Sequence, residues 1–178
     1  DPQYEGRNLG PALLLHFSYA YEFPGGDLID MFGNSARLGG GFELITAKKD
    51  LIFGLDGGFM FGNNVKQDVL ATLRTPEGEI IGHNKVYADI VLKQRGWQAS
   101  AHLGKILSLT KEEDLRAGIR ATIGLGLLQH KVRIQDDFQS EVPQIEGDYR
   151  KGYDKLTNGL MIQEFIGYQY LGSNRLIN

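Results

Sequence analysis

The sequence predicts an all-β fold, an antiparallel transmembrane β-barrel of about eight strands, from three observations. Apolar residues recur at every second position in several segments, which is the period of a strand whose side chains alternate between two faces. The connections between these segments alternate between short and long, as in outer-membrane barrels. Glycine makes up 24 of the 178 residues, and much of it lies inside the segments, where it suits barrel bends and a crowded interior.

The composition excludes several classes of protein. A formal net charge of −3 leaves no basic surface of the kind that binds nucleic acid. The absence of cysteine removes disulfides and thiol chemistry. No apolar run approaches the roughly 18 residues of a membrane helix. The mean hydropathy of −0.26 is compatible with a β-barrel, because only alternate residues of its strands face lipid.

The alternation defines six strands and the start of a seventh. In the first strand, Leu13, Leu15 and Phe17 share a face that is opposite to His16 and Ser18. In the sixth strand, Glu164 interrupts the apolar face, which a bulge or a position near the headgroups would accommodate. The six strands are expected near residues 11–23, 36–46, 50–62, 96–107, 115–130 and 159–171.

The connections give the chain an orientation and a strand count. Short polar turns are expected at Ala47 to Lys49, Thr110 to Asp114 and Gly172 to Asn174, and long loops near 24–35, 63–95 and 131–158. Since short turns are periplasmic and long loops extracellular, the first strand runs outward. Bacterial barrels of one chain have an even number of strands and at least eight. We therefore expect residues 1–178 to form one barrel domain, with two further strands beyond residue 178, in a mature chain that has lost its signal peptide.

Aromatic residues at the ends of the predicted strands support this orientation. Rings with an apolar body and a polar tip prefer the depth of the lipid headgroups. Two aromatic girdles are expected, one at the outer ends of the strands and one at the inner end of the sixth. The outer girdle comprises Tyr19, Tyr21, Phe23, Phe59, Phe61 and Trp97, and the inner girdle comprises Tyr168 and Tyr170.

Several motifs resemble a group of outer-membrane β-barrel proteins from Bacteroidota. They are Gly124-Leu-Gly-Leu-Leu-Gln-His, the stretch from Val142-Pro-Gln-Ile-Glu-Gly-Asp-Tyr to Gly159, Glu164-Phe-Ile-Gly-Tyr-Gln-Tyr, Phe23-Pro-Gly-Gly-Asp-Leu and Asp68-Val-Leu. The resemblance covers nearly the whole chain and implies an outer-membrane barrel in which a further strand follows Arg175. It also implies an accessory subunit of a larger machine, such as barrel assembly or type IX secretion, and it assigns no activity and no site residue.

Polar side chains of the inward face are expected to form a network in the lumen. Matching the heights of antiparallel strands brings together His16, Glu43, Asp56, His102 and Arg120. The interior of a small barrel is filled by side chains, and its buried charges must be paired, so a structural network is the main interpretation. A Ser–His–acid group or a gated channel is the alternative, and Ser100 lies two residues before His102.

The sequence predicts neither a metal site nor a cofactor. The four histidines, His16, His83, His102 and His130, have no metal-ligand spacing. The glycine motifs Gly39-Gly-Gly and Gly124-Leu-Gly do not open a helix, so they do not indicate nucleotide binding. The acidic residues between 131 and 158 match no calcium loop and are expected to be solvated.

The loop near 63–95 is too apolar to lie wholly in water. Its apolar residues either fold back over the mouth of the barrel or form a docking surface for a partner. The residues expected to bind a partner are Val69, Leu70, Leu73, Ile80, Ile81 and Tyr87.

The prediction for function is a non-enzymatic structural or accessory subunit of the bacterial outer membrane. It would contact membrane lipid and bind other outer-membrane or surface proteins through its extracellular loops. A small pore or transporter is the first alternative, and an outer-membrane lipid hydrolase or acyltransferase is the second. A soluble lipocalin-like barrel would require the two faces to be inverted, which would place arginine and acidic residues outside.

Overall fold

A computed structural model describes residues 10–47, 49–83, 85–109, 116–136 and 142–171. Six long strands dominate it. They are β1 (Ala12–Glu22), β2 (Ser35–Ile45), β3 (Leu51–Gly62), β6 (Ile90–Ser108), β7 (Arg116–Asp136) and β8 (Thr157–Leu171). The connections contain the short helix α1 (Leu28–Met31), the short strands β4 (Ile80–Ile81) and β5 (Tyr87–Ala88), and 3₁₀ turns at Ala71–Leu73, Pro143–Ile145 and Gly147–Gly152.

The long strands form one sheet in the order β1-β2-β3-β6-β7-β8, and every neighbouring pair is antiparallel. The predicted antiparallel all-β fold is confirmed. Closure of this sheet is not seen, because within the described residues β1 and β8 are its two edges. None of the described helices is long and apolar enough to cross a membrane.

Two strands are longer than the sequence pattern predicts. β6 begins at Ile90 rather than near residue 96, and β7 continues to Asp136 rather than ending near residue 130. The added residues pair with each other, from Ile90 opposite Asp136 inward. Leu92 and Ile134 on this extension pack against apolar residues of the loops, which explains why the hairpin continues. The loops expected at 63–95 and 131–158 are shorter by these residues.

The two faces of the sheet have opposite character. Large apolar side chains on its outer face are exposed, among them Phe17 at 94% and Leu160 at 91%. Its inner face buries polar residues, among them Glu43 at 2% and Gln169 at 4%. A protein surrounded by water has the reverse distribution. The alternation in the sequence therefore identified two faces that are apolar outside and polar inside.

The sheet curls around its polar face. Residues from both edge strands meet in one buried apolar cluster at the end of this face where β1 begins, here called the end cluster: Ala12, Ile45, Ile52, Ile106 and Leu171. Arg116 lies beside this cluster, with Nε 3.1 Å from Asp50 Oδ1 and an NH2 group that donates to the Gly10 carbonyl at 2.8 Å. This curvature allows side chains on distant strands to meet on the inner face.

Two local expectations from the sequence concern Glu164, whose surroundings were left open, and the turn expected at Ala47 to Lys49. Pairing through Ile123 opposite Glu164 is continuous, so β8 accommodates Glu164 without a bulge. The β2–β3 turn is closed by the Thr46 amide, which donates to the Leu51 carbonyl at 2.9 Å. The turns expected at Thr110 to Asp114 and Gly172 to Asn174 lie outside the described residues.

Candidate functional site

Glycines on neighbouring strands make room for the charged side chains of the inner face. Along one row, His16 lies opposite Gly41, which lies opposite Asp56. Along the next, Gly54 separates Glu43 from His102. A Cβ on Gly54 would lie 2.4 Å from the His102 ring, and one on Gly41 would lie 2.8 Å from Asp56 Oδ1. These glycines are therefore required for the rings and carboxylates to converge.

The structure brings the five predicted inner-face residues together as one group, here called the inner-face cluster: His16, Glu43, Asp56, His102 and Arg120. His16 Nε2 lies 2.7 Å from Asp56 Oδ1, and its Nδ1 lies 3.9 Å from Glu43 Oε1. His102 Nε2 lies 3.0 Å from Glu43 Oε1, and its Nδ1 lies 2.5 Å from Asp56 Oδ2. Each imidazole therefore faces one carboxylate with each of its nitrogens.

Arg120 neutralises the most buried carboxylate of the inner-face cluster. Its guanidinium contacts both Glu43 oxygens, with NH1 donating to Oε2 at 2.7 Å and NH2 contacting Oε1. The guanidinium carbon also lies 5.6 Å from the centre of the Phe165 ring, which leans over Gly167. Bidentate pairing is the strongest geometry for arginine and a carboxylate, so Glu43 is held in place.

The two histidines leave an imbalance of donors and acceptors. A neutral imidazole has one N–H and one bare lone pair, so two neutral rings cannot donate to a carboxylate from all four nitrogens. The close approach of His102 Nδ1 to Asp56 lacks hydrogen-bond geometry, and this buried atom has no hydrogen-bond partner within the described chain. With both rings neutral, Arg120 offsets only one of the two carboxylates. Among the described ion pairs, Asp56 is therefore the carboxylate of the inner-face cluster that has no arginine or lysine partner.

The remaining sequence candidates do not assemble a nucleophilic site. Ser100 Oγ donates to Gln163 Oε1 at 3.5 Å and not to His102, its neighbour on the same face. His130 packs edge-on against the Phe32 ring, with centroids 5.6 Å apart. The described geometry thus lacks the hydrogen bond from a hydroxyl to a base that activated serines show.

The aromatic residues predicted as girdles lie on the outer face. Tyr19, Leu38, Phe59 and Trp97 occupy one row across four adjacent strands. The Trp97 Nε1 donates to Gln129 Oε1 at 2.7 Å, which satisfies the polar edge of the ring. The other predicted girdle residues are also exposed: Tyr21 and Phe23, which pack edge to face, Phe61, and Tyr168 and Tyr170 at the opposite end of the sheet.

The six residues predicted for partner binding are divided by the structure. Leu70 and Ile80 are buried, and Val69 and Leu73 pack partly against them. Ile81 and Tyr87 are 50% and 65% exposed. The buried residues belong to an apolar cluster beyond the sheet, here called the loop cluster: Leu70, Ile80, Ala88, Ile134, Val142 and Ile145.

The loop cluster is assembled from two loops and the extended hairpin. A turn begins at Thr75, since its carbonyl accepts from the Gly78 amide at 2.9 Å. Asp68 accepts from the Leu70 amide at 3.1 Å and pairs with Arg74, which fixes the start of the 3₁₀ turn. Sequence reasoning missed Val142 and Ile145, whose only local signal is an apolar pair in a mostly charged loop. Val86, at 55% exposure, extends the exposed apolar surface beside Tyr87.

Comparisons with family models, with curated proteins and with solved structures find no match for this chain.

Proposed function

We propose that this protein is an integral β-barrel protein of a bacterial outer membrane that acts as a non-enzymatic structural or accessory subunit. In this role, the sheet is anchored in lipid by its outer face, and the loops beyond its outer end bind another envelope protein. The observation that carries the proposal is the inverted pattern of burial, with exposed large apolar residues outside and buried ionic groups inside.

The dimensions of the outer face support immersion in lipid. β1 and β2 each have 11 residues and β3 has 12, against roughly 9–11 residues for a tilted transmembrane strand. The curl of the sheet around its polar face supports closure into a barrel of about eight strands. Exposed aromatic residues at both ends of the apolar face match the depths of the two headgroup layers.

The single tryptophan provides a direct test of immersion. Trp97 lies in the outer aromatic row, so brominated lipids should quench its fluorescence most strongly when the bromine is near the headgroup. In a Trp97→Phe background, Leu125→Trp reports from the middle of the outer face and should be quenched by bromine deep in the acyl chains. Leu156→Trp, between β7 and β8 and 50% exposed, is the control and should stay unquenched. Equal quenching at the three positions would contradict the proposal.

The exposed part of the loops defines the partner-binding surface. Ile81 lies opposite Tyr87 in the small β4–β5 ribbon, and Val86 adjoins it. All three side chains are at least half exposed, although the loop cluster beneath them is closed. A rigid base that presents exposed apolar residues is typical of a protein–protein contact. This surface is called the ribbon surface below.

Purification from the native membrane tests the ribbon surface. Mild detergent extraction of the wild-type protein should recover a stoichiometric partner. Ile81→Asp with Tyr87→Ser should lose that partner, because the substitutions remove apolar contact area without touching the loop cluster. Tyr149→Ser removes a ring that is 75% exposed, against 65% for Tyr87, from a neighbouring loop, and this variant should retain the partner. Retention of every partner by the double variant would overturn the docking proposal.

A small pore is the second candidate, favoured by a cavity of about 350 Å³ on the polar face. His16, Arg37, Asp56 and Gln163 contribute to its lining. Single-channel recording in planar bilayers distinguishes the two functions, since an accessory subunit should not conduct. Discrete conductance steps that change in Arg37→Ala would favour the pore.

A further inference from the structure

We propose that the inner-face cluster contains a binding site for one divalent transition-metal ion, with His16, Glu43 and Asp56 as ligands. One ligand atom from each of these three residues can be chosen so that all lie within 4.8 Å of one another. The inference does not depend on the proposed function, because it concerns only the inner face.

The spacing of the ligand atoms fits a metal ion. Ligands around a tetrahedral zinc ion lie about 3.3 Å apart, given bonds of about 2.0–2.1 Å. His16 Nε2 lies 2.7 Å from Asp56 Oδ1, and one ligand atom from each of the three residues lies within 4.8 Å of the other two, so small side-chain rotations would bring the three atoms to this spacing. One imidazole nitrogen and two carboxylates form a mixed set that suits zinc, cobalt or manganese better than a soft ion.

The surroundings of the three ligands also resemble the support of a metal site. His102 lies between the two carboxylates, with Nε2 toward Glu43 and Nδ1 toward Asp56. Arg120 contacts both oxygens of Glu43. Groups that orient metal ligands in this way commonly change affinity by about 10–100-fold when they are removed.

The two carboxylates of the inner-face cluster differ in their described partners. Arg120 pairs with Glu43, whereas the described ion pairs of Asp56 are with the His16 and His102 imidazoles. His102 is 8% exposed, and its Nδ1 has no hydrogen-bond partner within the described chain. A dication bound between the two carboxylates would add a positive charge beside Asp56 and would use a nitrogen lone pair of His16 as its third ligand.

The site is open to ions from the polar face. The side chains of His16 and Asp56 are 31% and 20% exposed, and both line the cavity of about 350 Å³. Glu43 lies deeper, at 3%. An ion entering the cavity would meet His16 and Asp56 first, so these two residues are the most informative to change.

Cobalt titration of the full chain, without a polyhistidine tag and folded in detergent micelles, tests the proposal. Co²⁺ should bind with one equivalent per chain and give visible ligand-field absorption. His16→Gln and Asp56→Asn should each weaken binding by at least about tenfold, as expected for loss of a ligand. His83→Ala, in an exposed turn of the loops, is the matched control and should bind like the wild type. Unchanged affinity in both ligand variants would overturn the proposal.

A second measurement avoids the risk that a variant misfolds. X-ray absorption of the wild-type protein loaded with one equivalent of Zn²⁺ should show oxygen and nitrogen neighbours with the multiple scattering of a coordinated imidazole. A coordination shell without imidazole, or no retention of Zn²⁺ after dialysis, would exclude the site.

Discussion

The two faces of the curved sheet are built from the same strands but are stabilised in opposite ways. On the outer face, Phe17, Leu125 and Leu160 each expose more than two thirds of their surface. On the inner face, Glu43 and His102 are buried and depend on precise pairing. We expect the outer face to tolerate exchange of one apolar residue for another, whereas each charged residue of the inner face needs its paired residue. Substitutions on the two faces should therefore destabilise the protein for different physical reasons.

The largest effect is expected when the inner face loses its arginine. Arg120→Met leaves the Glu43 carboxylate buried without its cation, which should cost about 3–5 kcal/mol of the free energy of unfolding. Urea unfolding in detergent or lipid measures this cost. Arg133→Met, at an exposed position in the extension of β7, is the control and should change stability little. Arg120→Met combined with Glu43→Leu should recover most of the loss, since it removes both charges. If Arg120→Met left the free energy of unfolding unchanged, the buried Glu43 carboxylate would not depend on Arg120.

The second-largest effect is expected on the outer face. It distinguishes whether that face is surrounded by lipid or by water. Leu125→Arg places a charge at the middle of the apolar face and should destabilise the lipid-inserted protein by about 2–4 kcal/mol. Leu156→Arg, outside the strands, should change the free energy of unfolding by less than about 0.5 kcal/mol. Folding into lipid vesicles, followed by urea titration, gives both values. Full stability of Leu125→Arg in vesicles would argue that the outer face is covered by something other than lipid.

Two glycines on β3 compare the faces within one strand. Gly54→Ala should cost about 1–3 kcal/mol, because the new Cβ would lie 2.4 Å from the His102 ring and 2.9 Å from Glu43 Cγ. Gly57→Ala points to the outer face, where the nearest atom is the Gln98 carbonyl oxygen at 3.8 Å, and should be neutral or slightly stabilising. Thermal unfolding of the two variants provides the comparison. If both substitutions lowered the stability equally, Gly54 would be needed for the flexibility of the strand and not to leave space for the His102 ring.

The two faces and the loops also show which features can be predicted from the sequence. The period of two assigned Leu13 and His16 to opposite faces, because that assignment depends only on neighbouring positions. It did not give the geometry of the inner-face cluster, since His16, Glu43 and Asp56 come from three strands and meet only through register and curvature. It also did not place Leu70 in the loop cluster, because its partners Val142 and Ile145 are distant in sequence. Long-range packing buries Leu70 and Ile80 but leaves Ile81 and Tyr87 exposed, so it divides the loop between the two interpretations.

A smaller effect is expected from the one acidic residue that interrupts the outer face of β8. Glu164 is exposed between Ile162 and Ile166, and its cross-strand neighbour is Ile123. Glu164→Leu should stabilise the lipid-inserted protein by about 1 kcal/mol, since carboxylates on a lipid-facing strand cost less than arginine or lysine. The same exchange at the exposed Glu79 of the loops should have no such effect. Destabilisation by Glu164→Leu in vesicles would show that the carboxylate has a partner when the protein is in lipid.

The smallest effect concerns the pH dependence of the loops. Burial alone would raise the pKa of Asp68, but the Arg74 hydrogen bond and charge and the Leu70 amide outweigh it, so this pKa lies below its usual value of 3.8. Because the folded pKa is depressed, the contribution of Asp68 is complete above the unfolded pKa and is lost as the pH falls through the folded pKa. Asp68 and Arg74 are about one third exposed, so the pair is worth only a few tenths of a kcal/mol.

Limited proteolysis with one protease for the acidic range and a second that is active at pH 6 can detect this loss. Cleavage between residues 66 and 88 should accelerate as the pH falls below about 4 in the wild type. Asp68→Asn should be cleaved faster at pH 6 and should show a weaker pH dependence. Glu77→Gln, exposed on the same loop, should follow the wild type. An unchanged pH profile in Asp68→Asn would mean that the loop cluster, rather than the ion pair, fixes this segment, which would place the ribbon surface on a purely apolar base.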